Sequence, residues 1–158
     1  MSIKIKLIIS SLILSFWLQA QTITQIYKIK DLLNRIDTSK TTLVINFWAT
    51  WCKPCIQELP AFDSLNASKN TCQVILVSLD FKEDLEKKLN PFLKKNNITS
   101  ECVLLDEVNG NDYINKISEK WSGAIPATIF INKEKRLFAE RKFKLIELLQ
   151  KLTELEKK

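Results

Sequence analysis

Two segments, Thr41 to Trp48 (TTLVINFW) and Gln73 to Asp80 (QVILVSLD), are almost continuously apolar and β-branched, the pattern of strands covered on both faces. Elsewhere the apolar positions recur at helical spacing. Ile29, Leu32, Leu33 and Ile36 mark a helix within Ile26 to Ile36, and a second is predicted from Cys52 to about Asn66. A third covers Asp84 to Asn96, where Pro91 must kink or split it. Glu101 to Asp106 (ECVLLD) reads as a short strand, and Asn111 to Trp121 as a helix with Asn111 or Asp112 as N-cap. Thr128 to Asn132 and Arg136 to Lys142 predict a hairpin around Lys133-Glu134-Lys135. Leu145, Leu148, Leu149, Leu152 and Leu155 share one face of a closing amphipathic helix. Buried strands separated by helices predict an α/β fold. Its central sheet is mixed and mostly parallel, flanked by helices, with a C-terminal antiparallel hairpin and helix. No repeat or low-complexity linker divides residues 21–158, so one domain is expected there.

The first twenty residues have a different pattern. Lys4 and Lys6 precede the apolar run Leu7 to Leu18, and Ala20 is followed by the polar Gln21 and Thr22. A positive start, a short apolar run and a small residue describe an export signal, with cleavage expected after Ala20. The run is shorter than the about 20 apolar residues of a membrane span. Leu18 fits the small-x-small cleavage rule poorly, so an uncleaved N-terminal anchor is the alternative. The expected location is therefore outside the cytoplasm, periplasmic or extracytoplasmic.

Composition narrows the chemistry. The 158 residues contain no His, which removes Cys-His, Ser-His and His-metal mechanisms. Twenty-four Lys and Arg against eighteen Asp and Glu give a formal net charge of +6. The charges interleave along helices such as Glu83 to Lys95, which reads as a solvated face and not a nucleic-acid surface. Four Cys are too few for a disulfide scaffold. Export would place them where thiols can be oxidised.

Trp51-Cys52-Lys53-Pro54-Cys55 follows a strand and opens a helix. At that end the helix dipole and unpaired amides favour a thiolate, so Cys52 is the candidate nucleophile. Lys53 adds positive charge next to it, and Pro54 suits the first turn, where a missing N–H removes no intrahelical bond. Cys55 lies one turn further on the same face and is the candidate resolving sulfur. A structural disulfide and half of a zinc site are the alternatives. Zinc would need two further ligands without any His, and Cys72 and Cys102 stand singly. No metal and no cofactor are expected; the redox-active pair is itself the reagent.

The stretches LVINFWATWCKPC, CIQELP and GAIPATIFIN resemble the thioredoxin superfamily, and most closely its exported TlpA/ResA-like thiol-disulfide oxidoreductases. The resemblance covers Thr41 to the C-terminus. It implies a thioredoxin-like fold and a cis peptide bond at Ile125-Pro126 beside the active disulfide. The Ile125 backbone would then be available to pair with an extended substrate segment. Thioredoxins proper carry a buried acid where this chain has Asn46. Glu58, three residues after Cys55, is similar in position to the acid of ResA-like members, and burial would raise its pKa so that it could exchange a proton with Cys55. Trp51 is expected on the rim that meets a partner and Trp48 in the core.

The resemblance further implies protein substrates bearing disulfides. It also implies a membrane thiol-transporting electron donor of the DsbD/CcdA kind. The direction expected is reduction; disulfide oxidation or isomerisation, peroxide reduction and a non-catalytic binding module are the alternatives. Cys72 and Cys102 are expected to close a second, structural disulfide between neighbouring strands, or else to pack as two buried thiols.

Overall fold

In a computed structural model of the chain, residues 25–68, 72–133 and 135–157 are described. The export signal expected over residues 1–20 lies outside them. Six strands form one sheet in the order β1-β4-β3-β2-β5-β6. The strands are β1 (Ile26–Tyr27), β2 (Thr42–Trp48), β3 (Cys72–Ser78), β4 (Glu101–Leu105), β5 (Ala127–Ile131) and β6 (Arg136–Ala139). β1, β4, β3 and β2 are mutually parallel, while β5 runs antiparallel to both β2 and β6. The helices are α1 (Ile29–Thr38), α2 (Lys53–Ser68), α3 (Asn90–Lys95), α4 (Ile114–Ile117) and α5 (Leu145–Glu156).

The two apolar strands are buried on both faces because the pleat sends alternate residues into two cores. Val44 and Trp48 of β2 and Val74 and Leu76 of β3 face one core with Leu59, Phe62 and Leu65 of α2 and Leu148, Leu152 and Leu155 of α5. Leu43, Ile45, Phe47, Ile75 and Val77 face the other, against Ile29, Leu32 and Ile36 of α1 and Trp121. Asn46 falls between Val44 and Trp48, so it points to the α2 side.

Several elements differ from the sequence pattern. Ile26 and Tyr27 pair with Leu104 and Leu105 as a short edge strand, and the helix begins only at Ile29. The segment before Pro91 is a 3₁₀ turn at Lys82–Asp84 and a π turn at Leu85–Leu89, with α-helix only from Asn90. Pro91 lacks an N–H, and its ring would crowd the carbonyl four residues earlier; the wider turn relieves this. The expected helix over 111–121 shrinks to a 3₁₀ turn at Gly110–Asp112 and the four residues of α4. Asn109, not Asn111 or Asp112, is the cap, accepting from the Asn111 N–H.

Cys72 and Cys102 are not bridged. Both are buried thiols. The register explains it: Cys102 stands opposite Leu76 of β3, while Cys72 opens β3 opposite Thr42. Four residues of strand separate Cys72 from Leu76, about 13 Å at a rise of about 3.3 Å, and a disulfide needs Cα atoms within about 7 Å. Burial pushes the Cys102 thiol far above its usual range, so it stays protonated.

Candidate active site

The pair at the start of α2 is a disulfide, with an S–S distance of 2.05 Å between Cys52 and Cys55. Cys52 is the residue before the helix: its carbonyl accepts the N–H of Ile56 at 3.1 Å, and its Sγ accepts the N–H of Cys55 at 3.3 Å. The sulfur therefore occupies the place that a serine or aspartate oxygen takes at an N-cap. A thiolate there meets both an amide and the positive end of the helix dipole. Lys53 and Pro54 form the next two positions of the turn, where Pro54 removes no hydrogen bond. Cys52 is 6% exposed and Cys55 is fully enclosed, so an incoming sulfur reaches Cys52 first.

The loop that carries Cys52 is fastened to the end of β3. Asp80 is buried and accepts from the Thr50 N–H at 3.0 Å, the Thr50 hydroxyl at 2.6 Å and the Ser78 hydroxyl at 2.7 Å. Opposite, the Ile125–Pro126 bond is cis, and the Ile125 carbonyl oxygen lies 3.8 Å from Cys52 Sγ. Two contacts fix that segment. Trp121 Nε1 donates to the Ala124 carbonyl at 2.8 Å, and Glu140 accepts from the backbone and hydroxyl of Ser122. Trp48 is buried beneath the site and Trp51 is 65% exposed on its rim.

Glu58 is 1% exposed, one turn beyond Cys55 on the buried side of α2. Its Oε1 accepts from Asn46 Nδ2 at 2.8 Å and its Oε2 from the Phe143 N–H at 2.7 Å. Asn46 Nδ2 also donates to the Thr128 hydroxyl at 3.1 Å, while Asn46 Oδ1 has no partner among the described residues. Loss of water pushes the Glu58 carboxyl up from 4.5 to about 7. The two hydrogen bonds and the nearby Lys142 and Arg141 oppose that rise without cancelling it. The site thus places a carboxyl that titrates near neutrality one helical turn from the buried sulfur. Among the described residues no group of three or more Cys, Asp or Glu is placed to hold a metal ion.

The model of the AhpC/TSA family matches residues 12–139, most of the chain. The chain belongs to the AhpC/TSA family. The chain is 34% identical over 83 residues to the thioredoxin-like protein YneN of Bacillus subtilis, covering 52% of this chain and 48% of that one. It is 31% identical over 115 residues to the thiol-disulfide oxidoreductase ResA of Bacillus cereus, covering 69% of this chain and 62% of the relative. The matches thus span about half to three fifths of these relatives. A thioredoxin-related protein from Neisseria meningitidis superposes with a TM-score of 0.64 at 21% identity, over 77% of this chain and 91% of that one. The fold of this AhpC/TSA member is thioredoxin-like.

The structure brings Cys52, Cys55, Glu58, Asn46, Ile125 and Pro126 to one end of the sheet, with Trp51, Lys53 and Pro54 around them. Cys72 and Cys102 take no part. Asp80, Thr128, Glu140 and the Phe143 N–H were not visible beforehand. Asp80 alone left a trace in the sequence: an acid closing the mostly apolar run Gln73 to Asp80.

Proposed function

We propose that the protein is an exported thiol-disulfide oxidoreductase that reduces disulfides of extracytoplasmic proteins. The observation that carries the reading is the Cys52 sulfur in the capping position of α2, bonded to the Cys55 N–H and in contact with the Ile125 carbonyl. The names of relatives such as ResA support it. The pattern of Lys4, Lys6 and Leu7 to Leu18 supports export. No described helix is long and apolar enough to cross a membrane.

In the reduced protein the Cys52 thiolate attacks one sulfur of a target disulfide; the other target sulfur leaves as a thiolate and takes up a proton. Cys55 gives its proton to the Glu58 carboxylate and attacks Cys52, closing the Cys52–Cys55 bond and releasing the second target thiol. Two electrons pass from the protein dithiol to the target. A membrane thiol-transporting protein of the DsbD/CcdA kind returns them. A peroxidase reading would need an Arg beside the attacking sulfur; Arg141, which acts on Glu58, is held by Glu147 and lies over the Phe143 ring. Arg35, the nearest in sequence, is bound to Gln73 and Glu101 at the opposite end of the sheet.

Insulin reduction by the purified protein tests the assignment. Cys52→Ser abolishes the activity, and Cys55→Ser accumulates mixed disulfides; failure to trap them would overturn the two roles. Equilibration with glutathione tests the direction. A potential below about −200 mV supports a reductant, and one near −120 mV would mark an oxidant.

A further inference from the structure

A cleft opens beside the reacting sulfur, between the C-terminal ends of β3 and β4. Trp51 and Ile125 form its near wall, so it begins where the attacked cysteine of a substrate must lie. Its volume is about 210 Å³, below the about 300–1,000 Å³ of small-molecule sites and suited to a side chain. Phe81 and Val108 stand on it, 64% and 91% exposed. With Trp51 they are three of the five large apolar side chains exposed among the described residues. Isolated exposed apolar residues need no explanation, but three converging on one cleft next to a nucleophile mark an interaction surface.

The cleft is also acidic, on a chain of formal net charge +6. Asp80, Glu83, Asp106 and Glu107 line it against one lysine, Lys82. Asp80 is occupied by Thr50 and Ser78, and Asp106 by Lys28 and Lys82. Glu107 spends one oxygen on the Ile29 N–H. Its other oxygen and the whole Glu83 carboxylate make no hydrogen bond or ion pair among the described residues.

We propose that this cleft selects protein substrates whose reactive cysteine is followed or preceded, within two residues, by a large apolar side chain and a lysine or arginine. The apolar group would cover Phe81 and Val108, and the cation would meet Glu83 and the open oxygen of Glu107. Extended chain advances about 3.3–3.6 Å per residue, so a segment whose cysteine sits at Cys52, between Trp51 and Ile125, reaches the cleft within that span.

The inference depends on the disulfide-exchange reading, and one experiment separates the two. Four peptides carry a single cysteine as its mixed disulfide with 2-mercaptoethanol, flanked by Leu-Arg, Leu-Glu, Ser-Arg or Ser-Glu. Their rates of reduction by the reduced protein are each divided by its rate with hydroxyethyl disulfide. At low ionic strength the Leu-Arg peptide is expected to exceed Ser-Glu about tenfold, with the charge part shrinking at high salt. Glu83→Lys should abolish or invert the Arg-over-Glu preference, and Phe81→Ser should reduce the Leu-over-Ser preference. Equal rates for all four peptides, or preferences untouched by both substitutions, would overturn the proposal while leaving exchange itself intact. No reaction with hydroxyethyl disulfide or any peptide would overturn both.

Discussion

Replacing Glu58 by glutamine isolates the one buried group among the described residues expected to titrate near neutral pH. The carboxyl moves from 4.5 to about 7 on folding, because it is 1% exposed and its two hydrogen bonds only partly replace water. A raised acid pKa means that the folded state binds the proton more tightly than the unfolded chain. The stability associated with the neutral carboxyl is therefore fully present below about pH 4.5 and is lost as pH rises to about 7. The gap of about 2.5 pH units, at about 1.36 kcal/mol each, corresponds to about 3 kcal/mol. The amide of the Glu58→Gln variant is neutral throughout, so the difference between the two proteins removes, to first order, the contribution of every other titrating group. Urea unfolding of both oxidised proteins from pH 4 to pH 8 reads it directly. Relative to Glu58→Gln, the wild-type midpoint should fall by about 1–3 M across that range, given slopes of about 1–3 kcal/mol/M. A wild-type-minus-variant difference that stays flat with pH would refute the buried-carboxyl argument and remove the proton acceptor assigned to Cys55.

Three further outcomes follow from the same packing. Denatured, unreduced protein should show two thiols per chain by colorimetric titration, those of Cys72 and Cys102; a count near zero would mean that they are bridged. Asp80→Ala leaves the Thr50 N–H and hydroxyl without their acceptor and should lower stability by about 1–3 kcal/mol and slow reduction of insulin; unchanged unfolding midpoints would show that the clamp is unimportant. Phe62→Ala, in the fully buried seam between α2 and the sheet, should cost about 3–5 kcal/mol by thermal or urea unfolding, and a loss under about 1 kcal/mol would contradict the packing.

The elements that carry the Cys52–Cys55 pair were legible because they are local. Thr41 to Trp48 reads as buried strand and Cys52 as the start of a helix from neighbours in sequence; the strand runs Thr42–Trp48 and the helix begins at Lys53, directly after Cys52. The errors arise where distant segments decide. Whether Cys72 and Cys102 meet depends on how far β4 slides along β3, and apolar patterning is satisfied equally well by a shift of two or four residues. The 3₁₀ and π turns before Pro91 answer a steric conflict that propensity alone does not resolve into a geometry. Asp80 and Thr50 are thirty positions apart, joined only by the height at which two parallel strands end. Phe143 contributes through its backbone, which no side-chain identity announces.

That backbone amide ties the last helix to the chemistry. Phe143 sits two residues before α5, and its N–H holds the second oxygen of Glu58 while its ring closes the core with Phe130. A protease cut or truncation at Lys142 would do more than strip off a packing element. It would hydrate the carboxyl, return it toward ordinary glutamate behaviour, and remove the proton acceptor proposed for the inner sulfur, even with both cysteines untouched.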